Sequence, residues 1–300
     1  MMFLNTSGLT VMLCCWLSIA GAQVGIVSNS VPESVFCGRA RPISLTFQNT
    51  GSESFDGQIR ARIWQTSSAT AASTDESAWK RLQVLPGQTV LESAQLNFPP
   101  VNAETLFLVQ WIADSNRFLG ATSVLVYPTN LFQTLQTSLD RNNLGVFDPG
   151  NQLEPLLKEE GISFTDLGAM KLDDFSGRLA IIGPFQSKAQ VPRGIEDSIK
   201  AMARRNVAVV WVQPPEPPGR ADRVGWERKK FEPSFYCVQK KQTAVVVAQP
   251  DLLANLAGNP QSQIALIYFC HLALDPQPMT LPGASSEDAL AQGLLPTLPQ

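Results

Sequence analysis

Val207-Ala208-Val209-Val210-Trp211-Val212 is a run of six apolar residues without alternation, and it decides the fold of the chain's second half. A strand exposed on one face alternates polar and apolar residues. A run this uniform predicts a strand buried on both faces, as in a parallel sheet covered by helices. Leu179-Ala180-Ile181-Ile182, stopped by Gly183-Pro184, and Thr243-Ala244-Val245-Val246-Val247-Ala248 repeat the pattern. Leu144-Gly145-Val146-Phe147 and Ile162-Ser163-Phe164 supply two shorter strands. Between them the period changes to that of a helix. Gln152 to Glu160 places Leu153, Leu156 and Leu157 on one face and ends at Gly161. Ile195 to Arg205 turns Ile199 and Met202 inward and ends in basic residues that complement the helix dipole. Leu131–Leu139, Leu252–Leu256 and Ser262–Leu274 read as further helical segments. Strands alternating with helices predict a flavodoxin-like α/β domain of about five strands over residues 128–275.

Upstream of Tyr127-Pro128 the period is two. Ile43, Leu45 and Phe47 share one strand face, as do Ile59, Ala61 and Ile63. Turns are marked by Asn49-Thr50-Gly51-Ser52 and Pro86-Gly87. Strands are expected at Val24–Val27, Ile43–Gln48, Gln58–Trp64, Trp79–Leu85, Thr89–Leu96, Thr105–Ile112 and Leu119–Val126, with a polar loop over 66–77. Seven short strands in roughly a hundred residues predict an immunoglobulin-like β-sandwich over residues 23–127. Trp64 and Trp111 are expected to pack in it; the alternative is a platform for sugar rings.

The ends carry their own signals. Leu9 to Ala20 is a weakly polar to apolar run closing on Ala20-Gly21-Ala22, so residues 1–22 read as a signal peptide and the protein as exported, whether periplasmic, cell-surface or secreted. No Lys or Arg precedes the run, which leaves a retained anchor as the alternative. It is too short for a comfortable span, and no stable membrane span is expected after cleavage. Leu13 before Cys14 argues against a lipid anchor. Residues 276–300, rich in Pro, Gly, Ser and Leu, read as a loosely ordered tail. The mature chain keeps Cys37, Cys237 and Cys270. Their spacing matches no metal site, and Cys270 reads as a buried hydrophobe, Cys237–Cys270 being the one bridge to entertain. The net charge of −3 supplies no basic excess for a nucleic-acid partner.

In an open parallel sheet, ligands sit beyond the carboxyl ends of the strands. Those ends carry Asp148-Pro149-Gly150-Asn151, Gly183-Pro184-Phe185-Gln186 and Gln213-Pro214-Pro215-Glu216. None is a nucleophile elbow or a phosphate loop. The single histidine, His271, projects about 100° away from its neighbour Cys270 on a helix, so the two make no catalytic pair. No cofactor or metal is expected. The long basic segment 220–231 leaves the sheet at its ligand end and offers Trp226 and Arg228, although a solvated insertion is the plainer reading. The expected ligand crevice therefore comprises Asp148, Phe185, Gln186, Trp226 and Arg228, with no catalytic residue assigned.

Phe47-Gln48-Asn49-Thr50-Gly51 with Leu85-Pro86-Gly87 resembles bacterial adhesion-type immunoglobulin-like modules of the CARDB kind. Leu144 to Pro149, followed by a helix, Gly161 and Phe164, resembles the class I glutamine-amidotransferase-like fold. The pairing is similar to the non-catalytic C-terminal regions of secreted bacterial glycoside hydrolases. Amidotransferases carry a cysteine at the elbow and a His-x-Glu pair; Phe185 and Gln186 stand at that elbow here. The resemblance thus implies a carbohydrate-processing setting without the reaction. An exported non-catalytic accessory or binding protein is the expected function, with a carbohydrate or an envelope protein as partner. The alternatives are a hydrolase using carboxylates such as Asp148 or Glu216, and an envelope-assembly component docking through its sandwich.

Overall fold

The computed structural model describes residues 23–27, 31–66, 72–114, 116–139, 143–214, 228–231, 235–240 and 243–276. The expected signal segment and most of the C-terminal tail lie outside these. The chain is β-rich and built in two parts.

The first part holds eight strands: β1 (Val24–Ile26), β2 (Glu33–Phe36), β3 (Arg41–Asn49), β4 (Phe55–Gln65), β5 (Ala72–Val84), β6 (Thr89–Leu96), β7 (Thr105–Ala113) and β8 (Phe118–Tyr127). They form a three-stranded sheet, β1-β3-β6, and a five-stranded sheet, β2-β8-β7-β4-β5. The apolar faces meet in one core, with Ile43, Leu45 and Phe47 from the smaller sheet against Ile59, Ala61 and Trp111 from the larger. Trp111 is fully buried. Trp79 stands edge-on to it at 5.2 Å and stacks on Phe47 at 5.9 Å. Trp111 Nε1 donates to Thr122 Oγ1 at 3.1 Å, so the indole buries no unpaired donor. Trp64 faces outward from β4, half-buried, and its Nε1 donates to Gln110 Oε1.

Two features depart from the expected strands. The polar stretch 66–77 does not remain a loop: β5 begins at Ala72 and pairs with β4. The outward Arg60 and Arg62 both reach Glu76 at 2.6 Å, so cross-strand ion pairs favour a strand whose side chains would not otherwise select one. The four-residue β2, not foreseen, pairs in parallel with β8.

The second part is a mixed sheet in the order β10-β9-β11-β12-β15-β14-β13. Its strands are β9 (Leu144–Phe147), β10 (Thr165–Asp166), β11 (Leu179–Ile182), β12 (Ala208–Val212), β13 (Arg228–Phe231), β14 (Phe235–Lys240) and β15 (Thr243–Ala248). The first five in spatial order are mutually parallel; β14 and β13 add an antiparallel hairpin at one edge. Helices α1 (Gln133–Ser138), α2 (Glu154–Glu159) and α4 (Pro260–Leu274) cover one face through Leu135, Leu156, Leu266 and Phe269. Helix α3 (Ile195–Arg204) covers the other through Ile195, Ile199 and Met202. The expected second strand, Ile162–Phe164, instead forms at Thr165–Asp166, and Pro250–Leu253 is a single 3₁₀ turn.

The two parts touch through polar groups. Arg39 reaches Ala257 O at 2.7 Å and Glu159 at 3.2 Å, and Arg41 reaches Gly258 O at 3.0 Å. Gln261 Nε2 donates to Ser34 Oγ at 2.8 Å. Among the described residues no helix is long and apolar enough to cross a membrane.

Candidate functional site

The strand order reverses between β9 and β11, and their carboxyl ends define the crevice. Asp148 follows β9. Its Oδ2 accepts from Leu153 N at 2.6 Å and Glu154 N at 2.9 Å, folding the Pro149–Gln152 loop back onto the start of α2. A carboxylate there satisfies orphan amides and complements the positive end of the helix. Asp148 is about nine-tenths buried, and Oδ1 has no hydrogen-bond partner. Burial raises its pKa, against the opposing pull of the backbone amides. Replacing Asp148 with alanine is expected to lower stability by about 1–2 kcal/mol, the usual cost of losing such a cap. A midpoint shift in urea denaturation measures it.

Gly183, after β11, has φ +97°, a conformation that favours glycine; a Cβ there would also come within 3.0 Å of Val212. The chain then turns through Pro184. Gln186 Nε2 donates to Gly150 O at 3.1 Å, and Gln190 Nε2 donates to Pro149 O at 3.2 Å. Gln190 Oε1 in turn accepts from Gln186 N at 2.7 Å. Two glutamines thus lace the loop after β11 to the loop after β9. A Cβ on Gly150 would lie 3.0 Å from Pro184 O, so the loops are in direct contact.

Asp148 and Gln186 therefore stand together at the strand ends, whereas Phe185, expected beside them, does not. Phe185 points into the core beneath α3, 4% exposed, with its ring 6.2 Å from Phe147. Arg228 opens β13, paired with Val238, and three strands separate β13 from β11. Trp226 and Glu216 lie outside the described residues, as do the side chains of Arg228 and Cys237. Gln190 was not foreseen; its position four residues after Gln186, at the end of a 3₁₀ turn (Lys188–Gln190), was the available signal.

Elsewhere, Cys270 is a fully buried free thiol whose pKa burial raises, and burial lowers that of its neighbour His271. Among the described residues no group of three or more His, Cys, Asp or Glu side chains is arranged to hold a metal ion.

No protein-family model matches the chain, and no curated protein matches it. Solved structures resemble parts of it loosely. A Pseudomonas fluorescens alkylpurine DNA glycosylase bound to abasic-site DNA aligns at 15% identity and TM-score 0.29, over 36% of this chain and 31% of that one. A Listeria innocua β-glucosidase in complex with glucose aligns at 13% identity and TM-score 0.27, over 35% and 16%. The CARDB domain of a Pyrococcus furiosus protein in complex with di-metal ions aligns at 10% identity and TM-score 0.24, over 35% of this chain and 88% of that domain. This chain therefore spans less than a third of the glycosylase and a sixth of the glucosidase. Likenesses this loose carry no functional argument.

Proposed function

We propose that the chain is an exported, non-catalytic accessory or binding protein with a carbohydrate-related role. In this reading an immunoglobulin-like, CARDB-like module precedes a flavodoxin-like domain of the glutamine-amidotransferase type. The parallel strands support the second assignment: numbered within their own domain they run 2-1-3-4-5, the flavodoxin order. One observation carries the functional reading. At the position where such a sheet presents its chemistry, Asp148 holds the first amides of α2, and Gln186 and Gln190 hold carbonyls of the loop after β9. Side chains engaged in this way are supports for a scaffold.

The test is turnover by the purified chain on glycoside, ester and amide substrates, paired with retention on immobilised polysaccharide and on envelope protein extract. Retention without turnover is expected. Turnover that disappears in Asp148→Asn would overturn the reading and favour a carboxylate hydrolase.

A further inference from the structure

Strand β6 ends the three-stranded sheet, and only one of its two edges is occupied, by β3. Asn49 N donates to Gln88 O at 3.0 Å, which fixes the phase of that ladder. Alternate pairs of an antiparallel ladder exchange hydrogen bonds, so Val90, Glu92, Ala94 and Leu96 are the residues bonded to β3. The N–H and C=O groups of Thr89, Leu91, Ser93 and Gln95 point the other way. Among the described residues nothing pairs with them. A row of unpaired groups at the repeat of a strand is a template for another extended backbone.

Sheets blunt a free edge by keeping it short, by bulges, by Lys or Pro, or by turning a charge inward. The other edges use these devices. Strands β1, β2 and β10 have three, four and two residues. Strand β5 shifts register at Ile59/Arg60 and Ile63/Trp64 and carries Lys80 and Arg81, and β13 carries Arg228, Lys229 and Lys230. Strand β6 runs eight residues in unbroken register with β3 and contains no Pro, Lys or Arg. Its single charge, Glu92, is held by Lys80 Nζ at 2.6 Å. The edge is unguarded.

The outer face beside it is uncharged, with Ser44, Thr46 and Gln48 of β3 opposite Ser93, Leu91 and Thr89. Two copies of a chain of net charge −3 can therefore meet there without local repulsion. Leu91 is 78% exposed, the most of any large apolar side chain among the described residues. We propose that β6 pairs antiparallel with β6 of a second copy, about a two-fold axis at Leu91, joining the two small sheets into one. A closed two-fold contact needs a self-complementary surface. In this register Leu91 faces the second copy's Leu91, and Thr89 faces its Ser93, a pair that shares a hydrogen bond in sheets. A two-fold at Glu92 would instead oppose two carboxylates, which is destabilising. One strand a side makes a small contact, below about 1,200 Å², so a dimer with Kd on the order of 10–100 μM is expected. The binding-protein reading neither requires nor excludes it.

The experiment is sedimentation velocity of the full chain from about 1 to about 500 μM, where reversible growth of a dimer is expected. Leu91→Lys places a charge on the axis. Ser93→Pro removes an outward N–H that an edge strand can lose without breaking its native ladder. Each is expected to weaken association about tenfold or more. Gln48→Lys puts the same charge on the outer face one strand inward and is expected to leave association unchanged. Oxidation is expected to cross-link Leu91→Cys above the level of the parent, because hydrogen-bonded cross-strand pairs hold their Cα atoms about 5.5 Å apart, within disulfide reach. Gln48→Cys is expected to stay at the parent's level. Should Ser93→Pro fail to fold, Leu91→Lys decides, since so exposed a side chain tolerates the change. A parent that stays monomeric throughout overturns the proposal, as does a dimer indifferent to Leu91→Lys. Equal loss in Gln48→Lys would mean packing of faces in place of edges. A monomer whose edge takes up an uncharged extended peptide would assign the strand to a foreign partner.

Discussion

Replacing Trp111 with alanine is expected to cost about 4–6 kcal/mol, enough to unfold much of the population of a domain of ordinary stability. Two losses combine. Trp111 is fully buried where the two sheets meet, and its ring is the edge-on partner of Trp79, which itself stacks on Phe47. Truncation leaves a cavity that the two remaining rings, Trp79 and Phe47, cannot fill. It also strands the Thr122 hydroxyl, 7% exposed, without its partner. Trp111→Phe keeps most of the ring and loses the hydrogen bond, so about 1–2 kcal/mol is expected. Adding Thr122→Val to that variant removes the second polar partner and is expected to recover part of the loss. Urea denaturation of the four proteins, followed by near-ultraviolet circular dichroism, measures these differences. Equal stability of Trp111→Ala and the parent would show that the sheets do not depend on this cluster.

The second large effect is one of pH. Glu160 ends α2, and its carboxylate accepts from the backbone N–H groups of Phe132 and Gln133 at the start of α1. Its Oε2 is buried without a partner. Burial raises its pKa from 4.5 to about 7; those two amides and Arg39 oppose the shift, and Glu159 adds to it. In the window between those values the folded chain binds a proton that the unfolded chain releases. Stability from this group is therefore complete below about pH 4.5 and falls as pH rises through about 7. The carboxyl is only half-buried, so solvent screening reduces the effect to about 1–2 kcal/mol. Chemical denaturation between pH 5 and pH 8 is expected to show this decline in the parent and a flatter profile in Glu160→Gln, whose amide does not titrate. Parallel profiles would place the ionisation of Glu160 outside that window.

How much of this was legible in the sequence follows from what each element depends on. The runs at 179–182, 207–212 and 243–248 announce themselves because a strand covered on both faces has no polar side to present. The strands β3, β4 and β7 alternate because one face of each is wet. The start of β5 was hidden: Ser73 to Ser77 is polar throughout, and pairing there coincides with arginines on another strand reaching Glu76. The hairpin of β13 and β14 was hidden by the basic residues before it, and β2 and β10 by their brevity. In the crevice, Asp148 and Gln186 were legible because strand ends follow from topology. The inward turn of Phe185 was not, since position at a strand end does not say which face a side chain takes. Gln190 acts from beyond the next turn, a distance that no strand-end argument covers.

The four residues of β2 have a consequence out of proportion to their number. They are zipped to the last strand of the sandwich, and Ser34 within them, with Arg39 and Arg41 just after, grips the loop and first turn that open α4. The same short ribbon is thus both a rib of one half and the hasp on the other. Peeling it away would free Ser34 from α4 and leave the larger sheet one rib short in a single event, with Arg41, the first residue of β3, as a remaining tie between the halves. Loosening at the joint and fraying of the sandwich should accordingly share one protection factor in amide exchange.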